Sequence, residues 1–277
     1  MQFHSLLTII CLGLLSCNQD QAASTEKTIA LVPLVEETIE AETIEEAFMA
    51  YPLDFETATP TAVKIVRLGL THEAESPANL EKMSWLGLYQ LDSVTAILKQ
   101  VSPIKSIVFD AVVDEDSTEK TGVQIDLAES EGLLAIMHGP DYLKTASLTT
   151  PYMAKREIMV GEKQRFEFEG KTYELRAEGK QDSLIAGWDG TTHYKLYLAE
   201  ILDGKTMHTT LLVSTLFFQE AGIRILFMGD LDNDQKLDLL IETSNKYSYA
   251  APAIYLSSFA ARNELVKMAG LSIFTSC

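Results

Sequence analysis

Apolar and polar residues alternate with a period of two along much of this chain, the spacing of strands that bury one face. Phe166 and Phe168 alternate with Arg165, Glu167 and Glu169, and after Gly170-Lys171 the pattern resumes with Tyr173, Leu175 and Ala177. Residues 164–177 are therefore expected to form a hairpin. A second hairpin is expected to pair 194–198 with 209–215 across Asp203-Gly204, a turn pair that accepts the left-handed backbone of a tight strand connection. Ile223, Ile225 and Phe227, then Leu237, Leu239 and Ile241, give the same period on both sides of a polar loop. Earlier, 106–113 and 122–127 read as strands around the acidic loop 114–120, and Asp189-Gly190 marks another turn. Helical spacing is scarce. Residues 264–270 suggest one or two helical turns, stopped by Gly270. The expected fold is mainly β from about Trp85 onward, with antiparallel sheets arranged as a sandwich or as two small β subdomains. One face of each strand should be buried and the other charged, and Pro151 marks a weak division near residue 150.

The front of the chain follows different rules. Leu6 to Leu15 is an apolar run too short for a permanent span, and it ends in Leu14-Leu15-Ser16-Cys17. That ending resembles a bacterial lipobox, which implies that residues 1–16 are a signal peptide and that Cys17 becomes the acylated first residue. Several acyl chains on one cysteine would hold the protein to a membrane. Asn18 rather than Asp follows, which in such lipoproteins favours the outer membrane. Residues 17–60 then read as a flexible acidic tether, because 36–46 carries six acids and no base and few apolar residues offset the repulsion. The remaining 61–277 is the β-rich domain. Of the three cysteines, Cys11 leaves with the signal and Cys277 is the last residue, so the lipidated form has no internal disulfide to make.

A formal charge of −18 excludes an electrostatic grip on nucleic acid and suits divalent cations. Signatures of catalysis are missing: the chain has no phosphate-cradling glycine loop and no Gly-x-Ser-x-Gly elbow. His72, His138, His193 and His208 are scattered without ligand spacing. Trp85, Trp188, Tyr194 and Tyr197 offer an aromatic surface, but core packing accounts for them more simply.

The chemically specific segment is Gly229-Asp-Leu-Asp-Asn-Asp-Gln-Lys-Leu-Asp-Leu-Leu-Ile241. Four carboxylates this close repel one another unless a cation lies between them. A calcium loop takes side-chain oxygens at positions 1, 3 and 5, a backbone carbonyl at 7 and a further oxygen at 9. Here those are Asp230, Asp232, Asp234, the carbonyl of Lys236, and Asp238. Position 6, normally Gly for a sharp turn, is Gln235, and position 12, the bidentate Glu of an EF-hand, is Ile241. With strand periods on both flanks, the unit is strand–loop–strand. The segment resembles the Asp-x-Asp-x-Asp-Gly-x-x-Asp loops of FG-GAP and VCBS-type repeats, and with Tyr247, Pro252 and Tyr255-Leu-Ser-Ser258 after it, the ends of bacterial envelope proteins bearing one such loop. The resemblance implies Ca2+ held for stability, not catalysis. A single copy does not build a propeller. The acidic group Asp114, Glu115, Asp116 and Glu119 lacks this regular spacing and is expected to be a solvated turn.

Taken with the lipobox, these features predict a lipid-anchored protein of the bacterial cell envelope whose calcium-stabilised β domain serves as a binding or structural module. Its partners would be the membrane, through the lipid on Cys17, and an envelope protein or glycan. The alternative is a metal-dependent periplasmic or surface hydrolase, which would need a histidine or further carboxylate brought to the loop by the fold.

Overall fold

A computed structural model describes residues 62–116 and 118–275. The signal segment, Cys17, the tether at 17–60 and Cys277 lie outside the described residues. In chain order the strands are β1 (Lys64–Val66), β2 (Gly69–His72), β3 (Trp85–Gln90), β4 (Thr95–Val101), β5 (Ile104–Val108) and β6 (Gly122–Asp126). They continue with β7 (Leu133–His138), β8 (Ala146–Thr149), β9 (Lys163–Phe168), β10 (Lys171–Gln181), β11 (Thr191–Leu202) and β12 (Lys205–Phe217). Last come β13 (Arg224–Gly229), β14 (Asp238–Glu242), β15 (Tyr249–Ala250), β16 (Pro252–Leu256), β17 (Lys267–Leu271) and β18 (Phe274–Thr275). Helix is confined among the described residues to short 3-10 turns. None is long and apolar enough to cross a membrane.

The fold is mainly β, and its named strands pair antiparallel. A five-stranded sheet runs β1-β7-β3-β4-β8, a four-stranded meander β12-β11-β10-β9, a second four-stranded sheet β13-β14-β16-β17, and a three-stranded sheet β2-β6-β5. Both expected hairpins form. The first turns at Glu169-Gly170 (φ 47° and 73°), one residue earlier than the alternation suggested, with Phe168 opposite Lys171. The second turns at Asp203-Gly204 (φ 51° and 75°) and extends into strands of 12 and 13 residues. In each, the left-handed pair supplies the twist that the flanking strands need. Around the acidic loop β6 forms as expected, but β5 is Ile104–Val108 and residues 109–113, expected to be strand, form a turn closed on the Asp110 carbonyl. Strand structure among the described residues begins at Lys64, well before Trp85.

Two further expectations are corrected. The first is that each strand keeps one charged face. In β14 the residues Asp238 to Ile241 are all buried, because the β13-β14-β16-β17 sheet is an inner layer. Leu239, Ile241, Ala253 and Tyr255 share a core with Leu175, Leu196, Leu198 and Leu212 of the meander. Leu240, Ile254, Leu256 and Ala269 share another with Leu88, Leu98 and Met137 of the five-stranded sheet. A third core, of Val66, Trp85, Ile136, Val123 and Ile125, joins that sheet to the three-stranded one. Sheets buried on both faces read as continuous apolar runs, and Leu239-Leu-Ile241 is such a run, short and preceded by the buried Asp238.

The second correction concerns 264–270, where the chain forms β17 rather than helical turns. Gly270 is not a stop signal. A Cβ there would lie 2.1 Å from the carbonyl oxygen of Val63, and Val63 N–H donates to Ala269 O at 2.9 Å. The glycine permits two backbones to approach inside a sheet stack.

Candidate metal centre

The aspartate loop joins two strands of the inner sheet, so its ends are fixed between layers. At its start Gly229 passes close to the five-stranded sheet: a Cβ there would sit 2.8 Å from the carbonyl oxygen of Thr149. The loop itself is folded by its own first residue. Asp230 Oδ1 accepts from Asp234 N–H at 3.0 Å and Oδ2 from Gln235 N–H at 2.8 Å. Closing so tight a turn places Gln235 at φ 64° and Asn233 at φ 69°. The left-handed turn expected at position 6 is present, and a second one stands at position 4, where Asn tolerates it better than most side chains.

The fold brings three of the four aspartates together. Asp230, Asp232 and Asp238 each offer a carboxylate oxygen, and these oxygens lie within 4.8 Å of one another. Asp234 is turned to other partners. Its Oδ1 and Oδ2 each lie 2.9 Å from the Ser257 hydroxyl, Oδ1 accepts from Lys236 N–H at 2.9 Å, and Oδ2 meets Lys236 Nζ at 3.2 Å. Lys236, expected to supply a carbonyl, places its ammonium as a counter-charge on its neighbour.

Burial decides the electrostatics of the three. Asp238 is fully buried, and its oxygens accept from Leu231 N–H and Ser257 N–H, both at 2.7 Å. Those donors favour the charged form. Burial outweighs them, and with the charge of Asp232 it pushes the Asp238 carboxyl up to about 8. Asp232, also buried, is raised above the usual carboxylate range first by burial and then by Asp234 and Asp230, against the hydrogen bond from Ser258. Its Oδ2 accepts that bond, while Oδ1 is buried with no hydrogen-bond partner. An orphaned carboxylate oxygen inside a protein costs free energy. All the donors are hard oxygens, which suit calcium or magnesium better than zinc or copper.

Sequence reading assigned no role to Ser257 and Ser258, although Tyr255-Leu-Ser-Ser258 lies in the stretch that carries the resemblance. They reach the loop because the 3-10 turn Ser257–Phe259 follows β16, which pairs with β14. A cleft of about 240 Å3 opens beside Asp230 and Asp232, lined further by Tyr142, Lys144, Thr145 and Asn233. No local signal marked the 142–145 segment, which arrives from between β7 and β8.

Elsewhere the candidates separate. Asp114 is buried and organises its own turn, accepting from Asp110 N–H at 2.7 Å, Thr121 N–H at 3.1 Å and the Thr121 hydroxyl. Asp116 is taken by Thr118 and Glu119 by Glu115 N–H. His72 Nδ1 lies 2.5 Å from Asp110 Oδ2, and His138 Nδ1 lies 2.8 Å from the Ser84 carbonyl oxygen. His208 stands opposite Glu200 on β11, seven positions from His193, roughly 23 Å along a strand. Trp85 and Tyr194 are core residues, as packing suggested.

No family model, no curated protein and no solved structure matches this chain.

Proposed function

We propose that this is a lipid-anchored protein of the bacterial envelope, attached through Cys17 at the outer membrane, whose β domain is locked by a calcium ion. Asp230, Asp232 and Asp238 would hold the ion, with Asp234 and the Lys236 carbonyl completing the set expected from the loop pattern. The domain serves as a binding or structural module. The observation that carries this reading is the buried Oδ1 of Asp232, left without a partner in a loop whose three acids converge. A divalent cation is the partner that relieves both the orphaned oxygen and the repulsion. The alternative, a metal-dependent hydrolase, would need a histidine or further carboxylate brought to the ion; beside Asp230 and Asp232 the cleft is lined by Tyr142, Lys144 and Thr145.

The test is thermal melting of the full chain with calcium and with a chelator. Binding to the folded state raises Tm by mass action; superimposable curves would remove calcium from this account. Replacing Cys17 by Ser should move the protein from the membrane to the soluble fraction of its host, and retention at the membrane would dismiss the anchor.

A further inference from the structure

A second cleft, of about 320 Å3, lies away from the aspartate loop and is lined by none of residues 230–238. It gathers three aromatic side chains, Trp188 from one part of the chain and Tyr247 and Tyr249 from another. Each is held in place. Trp188 packs against Phe218 at 4.7 Å and Tyr194 at 5.3 Å between ring centroids, and its Nε1–H donates to Glu157 Oε2 at 3.2 Å. The Tyr249 hydroxyl is bonded to the Asn245 side chain, whose Nδ2 donates to Phe217 O at 3.1 Å. Tyr247 keeps 60% of its surface exposed, yet its N–H donates to Gln219 O at 3.0 Å and Gln219 N–H donates to Asn245 O at 2.8 Å. A large aromatic ring on a pinned backbone, presented to solvent, is preorganised to receive a ligand at little entropic cost.

The charges around these rings decide the class of ligand. Glu157 and Glu242 are matched by Arg224 and Lys246, so the cleft is balanced in a protein of formal charge −18. Three aromatics with two acids alone would suit an organic cation; the two bases remove that preference. They equally deny it to an anion. What remains is a neutral ligand with apolar faces for the rings and many hydroxyls for side chains that donate and accept in pairs. We propose that this cleft binds a neutral oligosaccharide, with the exposed ring of Tyr247 stacking on a sugar ring, Trp188, whose pyrrole face is covered by Gly222, walling the cleft beside it, and Arg224 and Glu157 bonding the sugar hydroxyls.

The chain contains two tryptophans, and Trp85 is 1% exposed, so Trp188 reports on the cleft. Emission of the full chain would be titrated with cellotetraose, maltotetraose and chitotetraose, in calcium and after chelation, with a proline-rich peptide as the competing chemistry. A saturable change is expected with at least one tetrasaccharide, and it should vanish in Trp188→Phe. Tyr247→Ala should weaken binding about tenfold, the loss of one stacked aromatic contact, with an unchanged circular-dichroism spectrum. Arg224→Gln, at a second exposed position, should weaken it severalfold. Failure of all three sugars at millimolar concentration, equal binding by both variants, or binding of the peptide alone would overturn the proposal. Because calcium is varied separately, loss of the aspartate-loop reading would leave this result standing.

Discussion

Leu239 and Leu240 are neighbours in the chain, both fully buried, and they lie in different hydrophobic cores. Leu239 packs toward the meander and Leu240 toward the five-stranded sheet. Each replacement by Ala should therefore cost about 2–5 kcal/mol, the range for a cavity in a packed core. In a two-layer sandwich one of the two positions would face water and cost little. Urea denaturation of both variants decides between these architectures, and a near-neutral result at either position would contradict the inner-sheet arrangement.

Among the loop acids the geometry ranks the variants. Asp232→Asn should weaken calcium binding by more than about tenfold, because it removes a charged ligand that has no other partner for one oxygen. Asp234→Ala should be milder, since Ser257 and Lys236 already occupy that carboxylate. Asn233→Gly is the fitting control, because Ala at φ 69° would add strain of its own. Calorimetric titration gives the order; equal losses in Asp232→Asn and Asn233→Gly would reduce the loop to a charged turn.

Gln235 stands at φ 64° with its N–H bonded to Asp230. Glycine keeps that bond and removes roughly 1–2 kcal/mol of left-handed strain, partly offset by about 0.5–1 kcal/mol of added chain entropy in the unfolded state. Gln235→Gly should raise Tm and leave calcium affinity little changed, because the strained backbone is already present without the ion. A lower affinity would mean that the Gln side chain has a role of its own.

The pH dependence of the calcium-free protein follows from Asp238. Its folded pKa, about 8, lies above the ordinary value of 3.8, so between these the folded state binds a proton that the unfolded chain releases. This contribution to stability is complete below about pH 4 and is lost as pH rises through 8. In chelator, the denaturation midpoint should fall from pH 5 to pH 9. Calcium should flatten the profile by favouring the ionised carboxylate. A midpoint that rises over this interval in chelator would reverse the sign and refute the account.

Much of the strand structure was legible because it is local. Phe166, Phe168, Tyr173 and Leu175 declare their period without reference to the rest of the chain, and Asp203-Gly204 declares its turn. The aspartate loop was legible for the same reason: alternate carboxylates and a strained sixth position lie within nine residues, and their mutual repulsion is a property of spacing. Residues 264–270 were misread because a run of Leu265, Val266, Met268 and Ala269 fits a buried strand as well as a short helix, and Gly270 reads as a stop until Val63 is known to pass beside it.

Other features depend on contacts between residues far apart in the chain. The layer that each face of β14 meets, the diversion of Asp234 to Ser257, the hydroxyl of Ser258 on Asp232 and the meeting of Trp188 with Tyr247 all arise from sheet stacking. Sequence by itself determined the mainly antiparallel β character and the converging acids, since period and charge spacing act over a few residues. Tertiary structure alone decided which acids are buried, and burial, more than spacing, is what raises Asp238 and leaves Asp232 with an unpaired oxygen.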